Sequence, residues 1–376
     1  MIDSDIVVGT GLRITVSRDE LAGRLATVAR AVSTRTTVLV LGGLQLRAEG
    51  GQLHLAATDM ELSLRASLDA NVAQEGTAVV PGRLLVDIVR SLPDSDVTID
   101  HHPDEAVVVV TAGAANYRLH TYSVEDFPRL PEVDTAQLHT IDRDALVETI
   151  ARVGRSASRD ESRPVLTGIL VRFEPGKVVM AATDSYRLAV KETAVGGSLP
   201  ELEAIIPARA LQELARVAAG GDEVQLGMQE NHVVFGAEGV WLTTRRIDGQ
   251  FPNYRQLLPE QFEYELPLPH DELLEVVRRV SLMAQRNSPL RLRFAEGELT
   301  VSAITQDVGE ARESMPAPFT GEPLEIGFNA EFLRDGLESI VSDTLRFKLI
   351  SPLRPAVLEG EADDYVYLIM PIRLAG

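Results

Sequence analysis

Ala181-Ala182-Thr183-Asp184 repeats Ala56-Ala57-Thr58-Asp59, and the 125 positions between them are one third of the 376-residue chain to within a residue. A tandem repeat carries such an offset through every element, whereas a chance tetrapeptide does not. Asp19-Glu20-Leu21, Asp144-Ala145-Leu146 and Asp271-Glu272-Leu273 each open an amphipathic run, at offsets of 125 and 127. Pro81-Gly82-Arg83-Leu84 and Pro207-Ala208-Arg209-Ala210 open a second run 126 apart, and Asn329-Ala330-Glu331-Phe332 follows 122 later. Phe127-Pro128 and Phe251-Pro252 each lead into a Leu-Pro. Three diverged copies of one unit are the economical reading.

Composition agrees with that count. A chain of this length predicts two to three domains, and 45% hydrophobic content gives each a core. The absence of cysteine excludes disulfide frameworks, thiolate nucleophiles and Cys-ligated metals. No apolar run reaches the ~18 residues of a membrane span, and no basic segment precedes an apolar one at the N-terminus. A cytoplasmic protein without membrane contact is expected. The net charge of −20 would argue against nucleic acid, but distribution matters more than the sum. Of 36 basic residues only Lys177, Lys191 and Lys348 are lysine, and the arginines concentrate in the predicted helices.

Along the chain, residues 1–10 read as a leader before a strand at Leu12–Val16. Leu21, Leu25, Val28, Ala29 and Val32 share one helical face and predict a helix from Asp19 to Ser33. Short β-rich runs follow at Leu44–Arg47, Leu53–Ala57 and Leu62–Ala66. Pro81 belongs near the first turn of a second helix, whose face is Leu84, Leu85, Ile88, Val89 and Leu92. Three more strands complete the unit. The second copy predicts helices Asp144–Ser158 and Pro207–Ala218, the third Asp271–Arg286 and Asn329–Val341, with strands between. Each copy is thus α+β, two helices on antiparallel sheet, with boundaries expected at 1–136, 137–262 and 263–376.

Arg83 and Arg90, seven apart, share a helical face, as do Arg209 and Arg216 in the second copy. Arg83 and Arg209 lie in a first turn, where a cation opposes the helix dipole by about 0.3–1 kcal/mol, so a polyanion is the suggested counterpart. On the first helices, Arg30 and Arg155 with Arg35, Arg159 and Arg163 nearby also fit ordinary dipole compensation. The third copy departs, with Glu331 and Glu338 at the stripe positions. Nucleotide-binding, nucleophile-elbow and zinc-protease signatures are absent, and His101-His102 reads as a solvated turn, so no catalytic residue, metal or cofactor is expected. The duplicated Thr58-Asp59 and Thr183-Asp184 read as turn and capping groups, not as an acid pair.

Arg163-Pro164-Val165-Leu166-Thr167-Gly168, Ala182-Thr183-Asp184-Ser185-Tyr186-Arg187-Leu188-Ala189, Phe251-Pro252-Asn253-Tyr254-Arg255 with Leu257-Leu258-Pro259, and Met370-Pro371-Ile372-Arg373-Leu374 together resemble the bacterial DNA polymerase III β subunit family, the sliding clamps. The resemblance covers essentially the whole chain. It implies three clamp domains, a head-to-tail homodimer forming a six-domain ring, and non-specific encirclement of double-stranded DNA. It also implies a pocket that tethers the polymerase III catalytic subunit, the clamp loader and other proteins carrying a clamp-binding motif of the Gln-Leu-x-Leu-Phe type.

By the same resemblance the pocket falls on Leu166, Thr183, Ser185, Tyr186, Arg187, Leu188, Pro252, Leu257, Leu368, Met370, Pro371, Ile372 and Arg373. The DNA-facing set is Arg35, Arg83, Arg90, Arg155, Arg159, Arg163, Arg209 and Arg216. The dimer joint sets Tyr117 and Leu119 against Leu282 and Met283. Ser185-Tyr186 departs from the family's frequent Gly-His, and Ala375-Gly376 follows the usual terminal Leu. The rivals are a repeated-domain hydrolase or lyase using Asp59, Asp184 or a histidine, and a monomeric peptide-binding scaffold.

Overall fold

The computed structural model describes residues 11–34, 36–93, 95–133, 138–196, 202–229, 231–284, 288–306, 308–361 and 363–374. The leader read at 1–10 lies outside them, as do Arg35 and Arg286. The first copy contains β1 (Arg13–Ser17), α1 (Arg18–Val28), β2 (Gly43–Glu49), β3 (Gln52–Thr58), β4 (Leu62–Asp69), β5 (Asn71–Gln74), β6 (Gly76–Pro81), α2 (Gly82–Ser91), β7 (Asp96–His102), β8 (Val107–Ala112) and β9 (Ala115–His120). The second contains β10 (His139–Asp142), α3 (Arg143–Val153), α4 (Pro164–Thr167), β11 (Gly168–Glu174), β12 (Lys177–Thr183), β13 (Arg187–Ala194), β14 (Leu202–Pro207), α5 (Ala208–Val217), β15 (Glu223–Gln229), β16 (His232–Ala237) and β17 (Val240–Arg245). The third contains β18 (Tyr264–Pro269), α6 (His270–Ser281), β19 (Leu290–Ala295), β20 (Glu298–Thr305), β21 (Gly309–Pro316), β22 (Leu324–Phe328), α7 (Ala330–Glu338), β23 (Thr344–Leu349), β24 (Ala356–Gly360) and β25 (Tyr365–Ile369).

The residues gather into two compact units that divide the middle copy. The first unit is Met1–Arg143 with Glu213–Arg246, the second Asp144–Gln212 with Ile247–Gly376. Each is built on an eight-stranded antiparallel sheet, ordered β10-β15-β16-β17-β4-β3-β2-β6 in the first unit and β18-β23-β24-β25-β13-β12-β11-β14 in the second. The two sheets are one arrangement displaced by one copy. β4 pairs with β17 so that Leu62 faces Thr244, and β13 pairs with β25 so that Arg187 faces Ile369. The first unit also carries the five-stranded sheet β5-β1-β7-β8-β9, and the second the four-stranded β21-β20-β19-β22.

In the first unit α1 buries Leu21, Leu25 and Val28 while α2 buries Leu85, Val86, Ile88 and Val89. Each such side chain contributes about 1.5–3 kcal/mol when taken fully out of water. The start of α2 packs tightly against β2 and the residue after α1's 3₁₀ turn because Gly82 has no side chain: a Cβ there would lie 2.8 Å from Val32 and 3.1 Å from Leu44. In the second unit the core includes Phe294, Phe319, Phe328 and Phe347, with ring centroids 5.7–6.2 Å apart, a spacing that favours tilted and edge contacts. Asn329 caps α7 by accepting from the Phe332 N–H at 3.0 Å, worth about 1 kcal/mol.

The helices are shorter than the hydrophobic period predicts. α1 ends at Val28 and tightens into a 3₁₀ turn, Ala29–Ala31, and α3 ends at Val153 and does the same at Gly154–Ser156. The turn's closer hydrogen bonds satisfy terminal carbonyls while Ala31 and Val32 remain buried, so the apolar pattern continues past the α-helix. α6 and α7 likewise stop at Ser281 and Glu338.

Candidate functional site

At Thr183-Asp184 the chain turns from β12 into β13. Thr183 Oγ1 donates to the Arg187 carbonyl at 2.6 Å and accepts from the Ser185 N–H at 3.1 Å. Asp184 Oδ1 accepts from the N–H groups of Tyr186 and Arg187 at 2.9 and 3.1 Å. Thr58 and Asp59 make the same four bonds in the first copy, at 2.9–3.1 Å, to Met60, Glu61 and Leu62. The residue after each aspartate is left-handed, with φ of 79° at Met60 and 81° at Ser185. Both carboxylates hold backbone donors of a turn, which is the role the sequence assigns them.

Successive residues of β13 then point to opposite faces. Arg187 turns toward α7, where it donates to Asp184 at 3.0 Å, Asp335 at 2.6 Å and the Arg155 carbonyl at 2.6 Å, and lies 4.2 Å over the Phe332 ring. Burial opposes its charge, but Tyr367 and the two aspartates more than offset this and raise its pKa above the ordinary value. At 7% exposure it is held as a buried tie between the turn and α7. Thr183 is buried in its turn as well.

Leu188 faces the other way. With Leu170, Val179, Ala181, Val190, Ile205, Tyr254, Val357 and Leu368 it forms a buried apolar cluster on the face of the sheet away from α7. Val165, Ile247, Phe251, Leu258, Phe262 and Val366 pack against it half-buried. The Met370 N–H donates to the Tyr186 carbonyl at 2.8 Å, and the Ile372 N–H donates to Gly327 at 2.8 Å, fixing the C-terminal segment beside the turn. Tyr186 (60% exposed), Leu257, Met370 (42%) and Ile372 present apolar surface to solvent. Leu166 and Pro371 are half-buried; Ser185, Pro252 and Arg373 are exposed. Arg163 donates to Ser185 Oγ at 3.0 Å and to Asp160 at 3.1 Å, which ties α4's entry to the turn. Of the residues expected from the sequence, Leu188 and Leu368 lie in this cluster, while Val165, Ile247, Leu258 and Val357, which also belong to it or pack on it, are outside the expected set. One signal for them was present: Leu188-Ala189-Val190 is apolar on both faces, where the first copy alternates Ser63-Leu64-Arg65.

The arginines separate into classes. Arg83 and Arg90 are exposed on α2 and make no ion pair among the described residues, and Arg159 is exposed likewise. Arg209 is exposed, and Arg216 pairs with Glu213 at 2.5 Å. Arg155 pairs with Glu338 at 2.5 Å. Glu338 is the acid at a stripe position; burial works against its charge, but Arg155 and Arg278 hold its carboxyl below the usual range. Tyr117 is exposed on β9 and Leu119 buried beside it; Leu282 is 84% exposed and Met283 half-buried. Among the described residues no group of three His, Asp or Glu could hold a metal ion, and no helix is long and apolar enough to cross a membrane.

Three tandem α+β copies whose sheets run continuously from one copy into the next define a clamp-type protein. Family models for the N-terminal, central and C-terminal domains of the DNA polymerase III beta subunit match residues 12–131, 140–253 and 255–373. The chain belongs to that family, the sliding clamps of DNA replication. It is 38% identical to the beta sliding clamp of Streptomyces coelicolor over 97% of this chain and 100% of that one. The sliding clamp of Bacillus subtilis has a solved structure with a TM-score of 0.90 and 26% identity, covering 97% and 100% of the two chains. The Pseudomonas aeruginosa clamp, solved bound to griselimycin, gives 0.87 and 30% with the same coverage.

Proposed function

We propose that two copies of this chain close head to tail into a ring of six clamp domains around duplex DNA. There it tethers the polymerase III catalytic subunit and other motif-bearing proteins, delivered by a clamp loader, and catalyses nothing itself. One observation carries the reading. The joints β4:β17 and β13:β25 repeat one register, and their counterparts in the third position, β21 and β9, are edge strands with one side unpaired among the described residues. An unpaired edge invites another strand, and a head-to-tail contact that closes removes every such edge. Applied to a second copy, the register sets Leu119 opposite Gly309, Arg118 opposite Glu310 and Tyr117 opposite Ala311, with Leu282 and Met283 alongside. Domain boundaries at 136/137 and 262/263 and a cytoplasmic site of action belong to the same reading.

The exposed arginines Arg83, Arg90, Arg159 and Arg209 supply backbone-directed charge without base readout, as sliding requires. The apolar face around Leu188 and Leu368, edged by Met370, is the peptide pocket. The test is topological. The loaded protein is retained on nicked circular DNA and lost when the circle is cut; equal retention on linear DNA contradicts the ring. Arg83→Glu with Arg209→Glu leaves the dimer intact and weakens retention at ~0.1 M salt, where charges a Debye length apart still interact.

A further inference from the structure

The first unit carries the same sheet face that forms the pocket in the second, with different chemistry. In the second unit one row across the strands reads Leu170, Ala181, Val190, Val366, each opposite the next. The corresponding row in the first unit is Gln45, Ala56, Arg65, Trp241. Apolar positions have become a guanidinium, an indole and an amide. Small residues flank them: Ala56 precedes Arg65 in the row, and beyond Trp241 comes Gly236, where a Cβ would lie 2.6 Å from the indole. The indole therefore lies against Gly236, beside Arg65.

Arg65 differs from the other buried arginines. Arg187 has the partners described above, and Arg152 is bound by Asp363, by Glu148 at 2.9 Å and by the Ser339 carbonyl at 2.5 Å. Arg65 is half-buried and has no ion pair or hydrogen bond among the described residues. Burial lowers its pKa, and the carboxylate that acts against this is Glu132, from residues 131–133, which belong to no strand. A partly desolvated cation without a partner is costly, and native proteins ordinarily give it an anion. The chain's own Glu132 shows which anion the site favours: a carboxylate on a segment that runs outside the strands. His54, on the same face two residues from Ala56, is held toward its neutral form by burial and by Arg47, and adds a hydrogen-bonding group.

We propose that this face of the first unit binds an acidic, extended peptide of a partner protein, with Arg65 taking a carboxylate and Trp241 supporting the neighbouring side chain. The pocket of the second unit serves only to identify the equivalent face, so its failure as a peptide site leaves this proposal standing. A phosphate chain is the less favoured ligand, because the anion the chain itself sets against Arg65 is a carboxylate, that of Glu132, and the oligo-dT arm of the test separates the two.

Trp241 is the only tryptophan, so its emission reports on this face alone. The probe is the capped hexapeptide Asp-Glu-Leu-Glu-Asp-Leu, titrated into the full-length protein at low salt. A saturable change in emission is expected, weakened about tenfold or more by Arg65→Gln, retained in Arg65→Lys and in Met370→Ala, and diminished by added salt. The amidated peptide Asn-Gln-Leu-Gln-Asn-Leu on the unaltered protein should give no change, which tests charge recognition even if Arg65→Gln does not fold. No saturation up to about 1 mM peptide, roughly the weakest affinity useful for docking, overturns the proposal. So does an equal response to the amidated peptide or in folded Arg65→Gln, or a response to oligo-dT in place of the acidic peptide.

Discussion

The two eight-stranded sheets share strand order, register and the Thr-Asp turn that enters the joining strand, yet they differ at alternate side chains. On the helix side the first sheet places Leu62 where the second places Arg187, so one joint is closed by packing and the other by a guanidinium bound to Asp184, Asp335 and the face of Phe332. On the outer side Ser63, Arg65 and Thr243 stand where Leu188, Val190 and Leu368 form an apolar floor. Backbone register is thus common to both joints, and what each joint can bind is decided by side chains at period two.

Three substitutions sharpen the contrast, in descending effect. Leu282→Asp tests the proposed joint between two copies, where Leu282 is exposed in the single chain. A carboxylate forced into an apolar contact costs several kcal/mol, so sedimentation should find ~41 kDa monomers, and a stable dimer would remove Leu282 from the joint. Arg187→Leu installs the first joint's residue in the second. It leaves Asp184 and Asp335 without their shared cation and should cost about 3–5 kcal/mol in denaturant unfolding; a loss below about 1 kcal/mol would mean the ties are dispensable. Glu338→Gln removes a carboxylate whose depressed pKa adds stability above its ordinary value of 4.5 and loses it as pH falls through the lower folded value. The variant should therefore be slightly less stable than the parent at pH 7 and indistinguishable in strong acid; a constant difference at all pH values would contradict that linkage.

Much of this was legible in the sequence. The repeat offset places equivalent elements, and period-3.6 runs locate α1, α2 and their counterparts because each buries a single face. The strands that run directly into helices, such as Gly76–Pro81 and Leu202–Pro207, were missed. Thr77 to Val80 is buried throughout and shows no alternation, and its terminal proline reads as a helix start. The turn role of Asp59 and Asp184 follows from their position between strands. The inward turn of Arg187 does not, because an arginine next to an aspartate at a strand start reads as surface until α7 supplies Asp335 and Phe332. The sharing of sheets between copies was equally hidden, since strand pairing over more than 170 residues, as between Leu62 and Thr244, leaves no local trace.

The most direct test of the account is the affinity of a Gln-Leu-x-Leu-Phe peptide for Met370→Ala. Met370 borders the apolar floor, its backbone fixed to Tyr186, and stands partly exposed, so its truncation removes contact surface without opening the core. Calorimetry should find binding weakened about tenfold, 1–2 kcal/mol, with the dimer intact by sedimentation. Unchanged affinity would place the tethering site elsewhere on the molecule.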